Sequence, residues 1–131
     1  MKSNLQLAKD YLIALERGVD RETLTAFFSP DVVQEEFPNR LLEQGARRTL
    51  AEILDGNERG KALMQAQRFE LRNAIASGDT VVLEVLWKGT LAASMGNLAA
   101  GDDMQAHFAL FLDFRGGRIV RQRNYDCFLP F

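Results

Sequence analysis

The sequence predicts an α+β domain whose helices pack on one face of an antiparallel sheet. Two observations carry this reading. Apolar residues recur at helical spacing early in the chain and alternate at strand spacing from residue 66 onward. The alternating segments are joined mostly by short glycine turns, which make hairpins rather than crossovers.

Each element follows from local chemistry. Ser3 and Gln6 have capping-box spacing, so a helix starts near Asn4 and carries Leu5, Ala8, Tyr11, Leu12 and Leu15 on one side. Gly18 stops it. Asp20 caps a second, short helix carrying Leu24, Phe27 and Phe28, and Pro30 breaks it. Residues 31–37 read as a strand closed by Pro38. A polar loop leads to a third helix from about Arg47, with Leu50, Ile53 and Leu54 on one face and Gly56 and Gly60 as interruptions. Phe69, Leu71 and Ile75 then alternate with Arg68, Glu70 and Arg72 in a half-buried strand. Ser77-Gly78-Asp79 turns the chain into a strand from Thr80 to about Ala92. After a loop over 94–103, Met104 to Phe114 and Arg118 to Cys127 form two more strands joined at Gly116-Gly117.

Alternation also assigns faces. Val81, Leu83, Val85 and Trp87 share the helix-covered side, as do Phe108, Leu110, Leu112 and Phe114. On the last strand charge decides. Arg121 and Arg123 are costly to bury unpaired, so Val120, Gln122, Asn124 and Asp126 point inward, opposite Ile119, Arg121, Arg123, Tyr125 and Cys127. Asp126 is thereby expected in a polar part of an apolar interior, beside Asn124.

The totals exclude several classes. A chain of 131 residues is sized for one domain. A formal net charge of −2 supplies no basic field for nucleic acid. Cys127 is the only cysteine, which rules out an internal disulfide and fits a reducing cytoplasm. No apolar run is long enough to span a membrane, and the first residues lack the apolar core of a signal peptide. There is no His/Cys cluster for zinc, and residues 96–101 lack the lysine and context of a phosphate loop, so no metal and no cofactor is expected.

Three stretches carry a resemblance. They are the helical opening AKDYLIALERGVDRETLTAFFSPDVVQEEFP, WKGT at residues 87–90, and GGRIVRQRNYD at residues 116–126. In order and spacing the chain resembles the nuclear transport factor two-like superfamily, and within it the SnoaL-like polyketide cyclase group with its ketosteroid isomerase relatives. The resemblance covers essentially the whole chain, 1–131. It implies a cone-shaped, curved sheet around N-terminal helices, an internal apolar pocket for a small apolar molecule, and often a homodimer. The outer sheet face, with Leu86, His107, Phe111 and Arg123, is the expected dimer surface.

The resemblance also implies site residues. Tyr11 falls at the first-helix tyrosine that donates to an oxyanion in ketosteroid isomerases. Glu36 falls at their general base, five residues past Asp31. Their second donor, a protonated acid, matches Leu110. The aspartate of epoxide hydrolases and cyclases matches Asn124, with Asp126 two residues further on the same face. Two readings follow. One is a cofactor-free isomerase, cyclase or dehydratase of small carbonyl compounds, with Glu36 or Asp126 moving the proton and Tyr11 and Asn124 holding the oxyanion. Trp87, Phe108, Leu110 and Gln122 join Asn124 in lining the pocket. The other is a non-catalytic ligand-binding protein, in which Glu36 is a solvated strand-end carboxylate, Tyr11 is core, and Asp126 accepts backbone N–H bonds at the C-terminus.

Overall fold

The computed structural model describes all of residues 1–131. Ser3 accepts from the Gln6 amide at 3.1 Å, and α1 runs over Asn4–Arg17 before Gly18 ends it in the left-handed conformation, at φ 63°. Its buried side carries Ala8, Tyr11 and Leu12. Asp20 caps α2, Arg21–Thr25, through the Thr23 amide. This helix is shorter than its apolar residues suggested. Phe28 instead opens β1, Phe28–Glu36, and is fully buried. Pro30 lies inside that strand. It sits where the pairing with the last strand is irregular, between Phe28 and Val33, so its missing N–H removes no ladder bond.

The third helix also starts later than expected. Thr49 and Glu52 form a full capping box, and α3 runs over Leu50–Leu63, through Gly56 and Gly60 without a break. The residues before it, Ala46–Arg48, form a short strand, β2, paired to β1.

β3 (Met64–Ser77), β4 (Thr80–Leu91), β5 (Asp103–Arg115) and β6 (Arg118–Phe128) are joined in hairpin order. The six-stranded sheet has the order β2-β1-β6-β5-β4-β3 and is curved and open. Every neighbouring pair is antiparallel except β1 and β6, which run parallel. The helices cover one face. Val81, Leu83 and Val85 of β4 and Leu110, Leu112 and Phe114 of β5 are buried there, on the side that alternation assigned. No helix is long and apolar enough to cross a membrane.

Two bulges shift residues that strict alternation had placed. Between Leu71 and Asn73 the β3–β4 register slips, and Ile75 turns outward, 56% exposed. Between Asp113 and Phe114 the β5–β6 register slips as well, so Phe114 faces Ile119 while Asp113 faces Arg121. Ile119 is therefore fully buried, and Val120 is the residue left over. An extra residue reverses the period-2 pattern beyond it, which is why both isoleucines were assigned to the wrong face. Beyond the second bulge the expected parity holds, and Gln122 is 2% exposed.

On the outer face, Arg123 pairs with Asp113 at 2.8 Å and lies over the Phe111 ring. Burial opposes ionisation of Asp113, but hydrogen bonds from Arg123 and Thr80 hold its carboxyl below the usual range. Tyr125 stacks on Phe37, with ring centroids 4.6 Å apart, and His107 is exposed.

Candidate functional site

A cavity of about 260 Å³ lies between the inner sheet face and helices α1 and α3. That volume is near the low end for small-molecule sites. Its sheet wall is Phe69, Phe108 and Leu110, and its helix side includes Tyr11, Leu15, Ile53 and Asn57. Polar groups gather at the end formed by β1, β2 and β6. They are Gln34, Glu36, Arg48, Gln122, Asn124 and Asp126.

Parallel pairing of β1 with β6 creates this cluster. It sets Gln34 opposite Gln122 and Glu36 opposite Asn124, on strands far apart in sequence. The antiparallel β2 then lays Arg48 beside Gln34.

Asp126 is the outlier among these groups. Its Oδ1 is buried and has no hydrogen-bond partner. A buried acceptor of this kind is costly when ionised. Burial raises the Asp126 carboxyl to about 7, the nearby Glu36 charge pushes in the same direction, and Arg48 partly offsets both. No donor reaches this oxygen, which is not what a carboxylate clamping the C-terminus through backbone N–H bonds on Oδ1 would show.

Glu36 is held differently. Its Oε1 accepts from Arg48 at 3.0 Å and its Oε2 from Asn39 Nδ2 at 2.8 Å. Both carboxylate oxygens are engaged and the pair is mostly enclosed, with side-chain exposures of 17% for Glu36 and 20% for Arg48. Arg48 also donates to Gln34 Oε1 at 3.1 Å.

Tyr11 is buried at 2% exposure, and its hydroxyl donates to Gln122 Oε1 at 3.0 Å. Burial pushes the phenol upward, so it stays neutral. Gln122 Nε2 in turn donates to Asn124 Oδ1 at 2.9 Å. This bond occupies the Asn124 oxygen, and the amide nitrogen, a donor only, takes no part in it.

Of the residues singled out from the sequence, Tyr11, Glu36, Phe108, Leu110, Gln122, Asn124 and Asp126 all border the cavity. Trp87 does not. Its indole stacks on Phe108, with centroids 5.4 Å apart, and donates to Gln67 Oε1 at 2.9 Å. The ring lies along the strand over Gly89, where a Cβ would come within 2.6 Å of it. Phe108 is thus the wall and Trp87 stands behind it. Sequence reasoning missed Arg48, Gln34, Asn57 and Gln67. The signal for Arg48 was available: Thr49-x-x-Glu52 is a capping box, which moves the helix start to Leu50 and frees Ala46–Arg48 to pair as a strand. Elsewhere, no group of three or more His, Cys, Asp or Glu side chains comes together in metal-binding fashion.

The profile of the SnoaL-like domain matches residues 8–122, nearly the whole chain. The chain belongs to the SnoaL-like domain family. No curated protein sequence matches it. Among solved structures, IdmH of Streptomyces antibioticus superposes with a TM-score of 0.81 at 19% identity, over 95% of this chain and 92% of that one. A SnoaL-like polyketide cyclase from Agrobacterium tumefaciens gives 0.72 at 18% identity, over 96% and 92%. An NTF2-like protein from Burkholderia thailandensis gives 0.74 at 21% identity, over 96% and 92%. At these identities the likeness establishes the fold. Within this SnoaL-like chain, the chemistry must be argued from the cavity itself.

Proposed function

We propose that the cavity binds a small, largely apolar carbonyl compound and that Asp126 moves a proton on it, without a cofactor. The reading rests on the Asp126 carboxyl, which lines the cavity, has a buried oxygen without a partner, and is raised by burial to about 7. A group poised there is present in both protonation states and can serve as base and then as acid. As carboxylate, Asp126 takes a proton from the carbon beside the substrate carbonyl. The electron pair moves to the carbonyl oxygen and makes an enolate. The amide nitrogen of Asn124 and the guanidinium of Arg48 face that charge. The new Asp126 carboxyl then returns the proton to another carbon, which completes an isomerisation, or to a departing hydroxyl, which completes a dehydration. A cyclisation uses the same enolate as the carbon nucleophile. Tyr11 acts at one remove, since its hydroxyl is spent on Gln122. Glu36, with both oxygens engaged, serves less as a base than as the charge that keeps Asp126 protonatable.

The polyketide cyclase named among the structural neighbours fits this chemistry, as do isomerases of the ketosteroid type. The test is deuterium exchange at carbons beside the carbonyl in a panel of cyclic and polycyclic ketones, followed by NMR. Exchange by the natural chain should fall by about 10²-fold or more in Asp126→Asn. Exchange that persists in that variant removes Asp126 as the proton carrier.

A non-catalytic binding protein is the second reading. It is favoured by Leu110, which puts an apolar side chain where a second acidic donor is expected from the isomerase resemblance. Ligand binding without exchange on any ketone, with exchange appearing only in Asn124→Asp, would support it.

The outer sheet face is proposed as a homodimer surface. Ile75 and Tyr125 are 56% and 43% exposed beside Val82, Leu86 and Phe111, and Arg123 is already neutralised by Asp113 within the chain. That leaves an apolar band suited to a second copy.

A further inference from the structure

Helix α3 meets the cavity through Ile53, Gly56, Asn57 and Gly60. These positions recur at i, i+3, i+4 and i+7, the spacing of a single helix face. In the first half of α3 the covered side is built of large apolar residues, and Ile53 and Leu54 are buried. From the middle of the helix onward the cavity-facing positions are Gly56, Asn57 and Gly60, so two of the three carry no side chain.

Nothing in the protein's own packing calls for those glycines. Neither has a positive φ. A Cβ at Gly56 would meet only guanidinium nitrogens, Arg59 at 3.6 Å and Arg48 at 3.8 Å, which is ordinary contact. A Cβ at Gly60 would meet no atom within 4 Å. Both positions lie inside a 14-residue helix, where glycine is less favourable than alanine. Their effect is to leave room beside the same cavity that holds the unpartnered Asp126 Oδ1.

We infer that Gly56 and Gly60 determine which ligands the site admits, by leaving the α3 backbone bare so that the apolar body of the ligand rests against it while its polar end reaches Asp126. The opposite wall is Phe69 and Phe108, so the ligand lies between a helix backbone and two rings. A side chain at residue 60 would occupy the ligand's place rather than any protein atom's. The inference rests on the cavity being a ligand site, as argued above, but makes no use of proton transfer.

The experiment compares the natural chain with Gly60→Ala, Gly60→Leu and Gly56→Ala. The probe is 2-naphthol, a flat enol mimic whose binding is followed by its fluorescence. Urea unfolding of the ligand-free proteins is measured alongside. Gly60→Ala and Gly56→Ala should raise the urea midpoint, since each improves the helix and crowds nothing. Gly60→Leu should remain folded and lose at least tenfold in naphthol affinity, with Gly60→Ala between it and the natural chain. A fall in the urea midpoint of both alanine variants would make the glycines structural and overturn the inference. Naphthol affinity unchanged in a folded Gly60→Leu would overturn it while leaving the ligand site intact. Failure of the natural chain to bind naphthol at all would overturn the ligand reading of the cavity and this inference with it.

Discussion

Replacing Asp126 with asparagine should make the protein more stable at high pH relative to the natural chain. Folding carries this carboxyl from its ordinary value of 3.8 to about 7. The folded state therefore holds the proton more tightly than the unfolded state. Where the pH lies between the two values, the unfolded chain has released the proton and the folded chain has not, so stability falls as pH rises. At 1.36 kcal/mol per pH unit, the gap from 3.8 to about 7 corresponds to a ceiling of roughly 4 kcal/mol, reached above the folded value. Between about pH 5 and about pH 8 the change is roughly 2.5 kcal/mol. Asparagine cannot ionise and escapes this loss. Urea unfolding of both proteins across that range, taken as a difference at each pH, isolates the one carboxyl from all others. The difference should grow in favour of Asp126→Asn as pH rises and level off above neutrality. Parallel pH profiles would refute the reasoning, because they would mean that Asp126 has the same affinity for its proton folded and unfolded. A difference growing the other way would mean that the carboxylate is stabilised by donors, and the proposed proton carrier would be lost.

Arg48→Gln should destabilise the fold by roughly 1–3 kcal/mol in urea, since Glu36 would keep its charge without its cation. It should also shift the pH dependence of any exchange activity upward, because Arg48 now holds the Asp126 value down. Tyr11→Phe should cost about 1–2 kcal/mol by the same measurement, as Gln122 Oε1 loses its donor in a buried setting. Thr49→Ala should cost about 1 kcal/mol by removing the capping box of α3, again read from the urea midpoint. On the proposed outer-face dimer, Phe111→Glu should move the sedimenting species from dimer to monomer. A natural chain that is monomeric at micromolar concentration removes the dimer proposal.

Local patterning was enough for the three helices, five of the six strands and most of the faces. Helical spacing from Leu5 to Leu15 and alternation from Val81 to Trp87 and from Phe108 to Phe114 depend on which side of one element is apolar, and that is a local property. The two arginines of β6 were enough to turn Gln122, Asn124 and Asp126 inward, because an unpaired buried charge is costly at any position in a fold. The remaining features depend on how distant segments meet. The bulges that reverse Ile75 and Ile119 depend on how two strands are registered against each other, and an alternating pattern carries no mark of one extra residue. The pairing of Glu36 with Arg48, and the siting of both near Asp126, needed β1 to lie parallel to β6 and β2 to fold back along β1. Trp87 was inward by parity, but only the Phe108 ring in front of it and the bare backbone of Gly89 beneath it kept it out of the cavity. The raised Asp126 carboxyl follows from the same cause. Its residue type was visible in the sequence, whereas its lack of a partner is a property of everything that packs around it.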